Sequence, residues 1–140
     1  MPEIGAAEAN RIIASGLLVL IWTVQLVIYP SFKHVSPERF VDWHYRYTGL
    51  ITWVVAPLFL GQIAAGCWLV WDRSSTPVSP SEAAFLILCG LGWVFTFAYS
   101  VPCHRELQKG PSEAKIRRLI LTNGLRTAAW SAAWICSMWL

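Results

Sequence analysis

Charge is scarce in this chain. Asp, Glu, Lys and Arg together make up 14% of its 140 residues, while 56% are hydrophobic. An ordinary soluble domain carries about a quarter charged residues, so this balance excludes one and points to a single integral membrane domain over residues 1–140. No basic stripe runs along the sequence, which excludes a nucleic-acid partner. Four cysteines, at 67, 89, 103 and 136, form no CxxC and no metal-like spacing. They are read as free packing thiols, although Cys67 and Cys136 fall near one membrane face and could pair. The apolar segments contain no Asp or Glu, so a carboxylate proton relay of the transporter kind is missing. The first apolar run lacks a basic n-region and an A-x-A cleavage site and is long enough to span, so it reads as a span and not a signal peptide. No internal repeat is evident.

What the chain has in quantity is apolar runs and tryptophan. Nine Trp suit interfacial belts and a helix-packed interior. The runs predict an all-α, four-transmembrane-helix bundle with spans at about 12–29, 47–71, 83–101 and 119–140. Pro30 is expected to end the first helix. Ser36-Pro37 starts a short amphipathic helix, with Phe40, His44, Tyr47 and Ile51 on one face and Arg39, Asp42 and Arg46 opposite. That surface helix leads into the second span, which Pro57 should kink. Residues 72–82 read as a loop, Pro102 as a bend or end of the third helix, and Gly110-Pro111 as a turn within a charged connection.

The distribution of positive charge sets the orientation. Lys33, Arg39, Arg46, Arg105, Lys109, Lys115, Arg117 and Arg118 flank the first and third connections, against Arg11 and Arg73 on the other side. By the positive-inside rule both connections and the amphipathic helix are cytoplasmic, and the N and C termini lie outside.

The last span organises the rest. It carries Asn123 and Arg126 in its first third, and an arginine within a span is a functional-site candidate by default. In the predicted topology, inward polar groups from all four helices converge on the cytoplasmic half of the bilayer. Gln25 and Tyr29 come from the first span, His44 and Tyr47 from the second, Tyr99 and His104 from the third, and Asn123 and Arg126 from the fourth. His44, His104, Asn123 and Arg126 are the catalytic candidates. Gln25, Tyr29, Tyr47, Tyr99, Trp130 and Trp134 are the ligand-binding candidates, the tryptophans as stacking surfaces. The two histidines are also the candidates for a metal or a haem iron. Against this stands the alternative that Gln25, Asn123 and Arg126 only hold helix ends together. On the opposite side of the last span, Leu121, Leu125, Ala128 and Ala132 should face lipid or a second subunit, the two alanines offering a homo-oligomer contact.

Three motifs carry a resemblance: YP at the end of the first span, VP-x-H-x-x-L after the third and N-x-x-RT at the start of the fourth. The chain resembles a group of small four-helix bacterial membrane proteins of unknown function. More distantly, it resembles the DUF1772 or anthrone-oxygenase-like family. The matching positions are Tyr29, Pro30, Pro102, Leu107, Asn123, Arg126 and Thr127. Cys103-His104 stands where that family has an Asn. The resemblance implies a bacterial cytoplasmic membrane protein and an oxygenase-like reaction. With the polar cluster it suggests a redox or oxygenase-like enzyme acting on a lipophilic aromatic or quinone-like molecule. The alternative is a non-enzymatic membrane protein: a small transporter, a haem carrier or a partner-binding subunit.

Overall fold

The computed structural model describes residues 4–140. The described chain is all-helical and forms four helices: α1 Ala6–His34, α2 Pro37–Asp72, α3 Pro80–Leu107 and α4 Glu113–Ser137. By length and composition, α1, α2 and α3 can each cross a membrane. α4 is continuous, but Asn123 and Arg126 break its apolar run and it is not among them.

Two prolines expected to end or bend helices do not end them. α1 continues past Pro30 to His34, and α3 past Pro102 to Leu107. In each case a π-helical segment, Val24–Ile28 or Thr96–Ser100, precedes the proline by one residue. There the Tyr29 N–H reaches back five residues to the Val24 carbonyl, and the Val101 N–H does the same to Thr96. A proline clashes with the carbonyl four residues before it and offers it no N–H. Widening the turn moves that carbonyl aside, so the helix survives. The first helix then finishes in a short 3-10 turn, Phe32–His34.

The segments predicted as an amphipathic helix and a second span form one 36-residue helix that passes unbroken through Pro57. It starts where Ser36-Pro37 predicts, although the Ser36 hydroxyl makes no capping bond. α3 has the stronger start. The Ser79 hydroxyl accepts from the Glu82 N–H at 3.2 Å, and Glu82 accepts the Ser79 N–H at 2.7 Å. Glu82 also pairs with Arg73 at 2.8 Å, tying the α2–α3 connection down. The third connection is far shorter than its charged run suggests, because helix covers most of residues 105–118. It turns at Gly110, whose φ of +143° favours glycine.

α4 packs along both α1 and α3, while α2 packs chiefly on α1. The core forms three levels. At the basic end Phe32, Phe40, Leu107 and Leu119 are sealed. Leu17, Ile21, Phe59 and Trp130 fill the middle, and Ala14, Leu69, Phe85 and Ala133 the far end. Lipid is as apolar as these side chains, so within a membrane close packing, and not transfer out of water, holds the three levels together. Trp130 packs closely against Gly92, where a Cβ would come within 2.7 Å of its ring. Leu121, Leu125 and Ala128 are exposed and Ala132 is half-buried, so this face of α4 points out of the protein. All four cysteines are unpaired.

Because α2 and α3 barely meet along their backbones, side chains bridge the space between them. Trp93 donates to Gln62 at 2.9 Å, and its ring lies 4.4 Å from Phe59. Nearer the basic end, His44 meets His104. Between these two bridges lies a cavity of about 370 Å³.

Candidate functional site

The cavity draws walls from all four helices. Its volume falls within the range of small-molecule sites. Leu20, Ile21 and Val24 of α1 and Ile51, Val55 and Phe59 of α2 make it apolar. The threonines add little polarity, because their hydroxyls turn back on their own helices. Thr52 donates to the Thr48 carbonyl at 2.7 Å, Thr48 to Tyr45 at 2.9 Å and Thr96 to Gly92 at 2.8 Å. The polar groups presented to the space are therefore few: Tyr29, Tyr47, Ser100, His104 and Arg126, with Arg105 and Gln108 at the basic end.

Arg126 is 7% exposed. Its Nη1 donates to Ser100 Oγ and to Asn123 Oδ1, both at 3.0 Å. The guanidinium carbon lies 5.1 Å from the Trp130 ring centre, a cation–π geometry. Its Nε is buried without a partner. Among the described residues no carboxylate pairs with it: the ion pairs are Arg73–Glu82, Lys109–Glu106 and Lys115–Glu106. Arginine cannot escape burial by losing its proton, so a full positive charge faces this cavity without a counter-charge.

Asn123 is fully buried behind Arg126. Its Nδ2 donates to Gln25 Oε1 at 2.7 Å, and Gln25 Nε2 donates to the Ile120 carbonyl at 3.3 Å. This clasp joins α1 to α4 and fixes the arginine from behind. Neither Gln25 nor Asn123 lines the cavity.

A second chain runs through the histidines. His44 Nε2 lies 3.0 Å from His104 Nδ1, and His104 Nε2 lies 3.0 Å from the Tyr29 hydroxyl. Phe40 stacks on His44 with ring centres 5.5 Å apart, and Phe32 meets both imidazoles edge-on. His44 is fully buried, and its Nδ1 has no partner. A neutral His104 must donate from one nitrogen and accept at the other, so the chain has a direction. In one direction His44 donates to His104 and His104 to Tyr29, which frees the tyrosine proton for the cavity. In the other the tyrosine proton points into the chain.

His44 and His104 come together as a hydrogen-bonded pair. Among the described residues no group of three or more His, Cys, Asp and Glu side chains gathers to complete a metal set.

The remaining predicted residues divide. Tyr47 and Trp130 line the cavity. Tyr99 does not, and is 36% exposed on the outer surface. Trp134 lies toward the other end of the molecule, where it donates to Ser15 at 3.0 Å. Sequence patterning passes over Phe32, the aromatic floor beneath both histidines; its place after YP carries no signal of that role. It also passes over buried polar groups in the other half. Asn10 donates to the Ala6 and Ala65 carbonyls at 2.8 and 2.7 Å, and Gln62 donates to Cys89 Sγ at 3.3 Å. No protein-family model matches the chain, and neither a curated protein nor a solved structure matches it.

Proposed function

We propose that this chain is a four-span integral membrane protein whose cavity binds a lipophilic, quinone-like or aromatic molecule through a carbonyl or anionic oxygen. The observation that carries this reading is Arg126, a buried charge without a counter-charge at the wall of an apolar cavity. Such a charge gains most from a ligand oxygen brought to it. Arg126 and Tyr29 both line this cavity, so one ligand oxygen set between them can accept from both. The ring of the ligand then lies among Ile51, Val55, Phe59 and Trp130.

The histidine chain orients the tyrosine proton. With both imidazoles neutral, His44 donates to His104 and His104 to Tyr29, and the tyrosine hydroxyl is left to donate to the ligand oxygen. The redox or oxygenase-like chemistry implied by the resemblance would begin from such a polarised, hydrogen-bonded oxygen. The basic end faces the cytoplasm of a bacterial cell and both termini face out, by the positive-inside rule. α4 crosses with its polar face shielded by α1 and α3, which lowers the cost of Asn123 and Arg126 in lipid.

A second reading rests on the Gln25–Asn123 clasp, whose bonds close within the protein. In that reading the protein is non-enzymatic and its polar cluster holds α1 to α4. Extraction of the purified protein with organic solvent, followed by mass spectrometry, separates the two. The ligand reading expects a lipophilic oxygen-bearing compound enriched in wild type over Arg126→Gln. Identical extracts from both proteins would support the structural reading.

A further inference from the structure

The first turns of α2 carry a stripe the cavity does not use. Arg39, Trp43, Arg46, Leu50 and Trp53 recur at intervals of three and four residues and share one helix face. Arg39, Trp43, Arg46 and Leu50 line a shallow groove together with Asp42 and Tyr47. Both arginines are exposed, and among the described residues neither belongs to an ion pair. Asp42, the carboxylate between them, stands more than the ion-pairing distance from either. The groove is rigid, because Trp43 stacks on Tyr47 with ring centres 5.6 Å apart and planes 9° apart, and meets Phe32 edge-on at 5.2 Å. Farther along the same face the side chains become purely apolar, with Leu50 69% and Trp53 82% exposed.

We infer that this stripe is a binding site for one anionic phospholipid. The order along the helix matches that of such a lipid: two guanidiniums for a phosphate-bearing headgroup, an aromatic at the interface, then apolar side chains along the acyl tails. Arginine suits phosphate through its planar fork, and interfacial Trp and Tyr suit the headgroup level. A soluble phosphate would not need the apolar continuation at Leu50 and Trp53. Tyr47 lines both this groove and the cavity, so the lipid would press on the cavity wall from behind. The inference rests on the chain spanning a membrane but not on the cavity having a ligand.

The test is native mass spectrometry of the full chain, released from detergent with equal amounts of phosphatidylglycerol and phosphatidylcholine. Wild type should retain phosphatidylglycerol preferentially, and each guanidinium near an anionic headgroup should contribute about fivefold. Arg39→Gln/Arg46→Gln should lose the preference with an unchanged thermal midpoint, since both side chains are exposed. The control Arg117→Gln/Arg118→Gln removes the same charge from the start of α4 and should keep it. Equal loss in the two double variants, no preference in wild type, or displacement of the lipid by inorganic phosphate would overturn the site. Recovery of the protein without detergent would instead overturn the membrane reading beneath it.

Discussion

Gly92→Ala is a small change with a large expected consequence. A Cβ at this position would sit 2.7 Å from Trp130 Nε1 and Cε2 and 3.2 Å from Cζ2. The indole cannot yield easily. It is 3% exposed, it packs with Leu17, Ile21 and Phe59, and Arg126 lies 5.1 Å from its centre. Its open side is the cavity, so relief of the clash pushes the ring into the ligand space. Overpacking of this kind costs about 1–3 kcal/mol. The helix itself gains about 0.8–1.0 kcal/mol when glycine becomes alanine, which masks part of the loss. Gly90, two residues earlier in the same helix, removes the mask. A Cβ there meets nothing within 4 Å, so Gly90→Ala carries the helix gain alone. The difference between the two variants is then the packing term, about 1–3 kcal/mol. Denaturation by SDS titrated into mild-detergent micelles, followed by far-UV circular dichroism, measures it. Gly92→Ala as stable as Gly90→Ala would refute the close seat of Trp130 on α3.

Other perturbations divide stability from binding. Asn123→Ala removes an acceptor from a buried cation and a partner from Gln25, and should cost about 1.5–3 kcal/mol in the same titration. A loss under 0.5 kcal/mol would count against the clasp. Tyr29→Phe removes a cavity-facing hydroxyl and leaves His104 Nε2 without its partner. It should cost about 1–3 kcal/mol in stability and abolish ligand retention in the extraction assay. Ser79→Ala removes half of the capping box at the start of α3 and should cost about 1 kcal/mol. Amide hydrogen exchange should rise in residues 79–83 while residues 96–107 stay unchanged.

Much of this was legible in the sequence because polar residues are rare in such a chain, so each one is informative. The convergence of Tyr29 and His104 follows from their placement near the basic ends of α1 and α3, and Arg126 meets them from the middle of α4. What the pattern hid is the helix winding. Counting at 3.6 residues per turn puts Tyr99 on the inner face, three residues after Thr96. The π-segment Thr96–Ser100 holds more residues in its turn, so Ser100 takes that place and Tyr99 is thrown outward. α1 shows the same shift. Its buried line runs Ala14, Leu17, Ile21, Val24 and then jumps five residues to Tyr29. Ser15 and Trp22, which an ordinary helix would set on the face of Tyr29, instead contact α4 at Trp134 and Ser131. Pro30 reads as a stop and Pro102 as a bend or a stop because sequence shows the missing N–H but not the widened turn that accommodates it.

The central claim is that Arg126 presents an unbalanced charge to a ligand oxygen. The most direct measurement is thermal unfolding of the detergent-purified protein with a short-chain naphthoquinone and, separately, with the naphthalene of the same substitution. The two probes share their ring shape and differ in their carbonyl oxygens. Wild type should be protected against heating by the quinone and not by the hydrocarbon, and Arg126→Gln should be protected by neither. Equal protection by both probes, or undiminished protection of Arg126→Gln by the quinone, would contradict it.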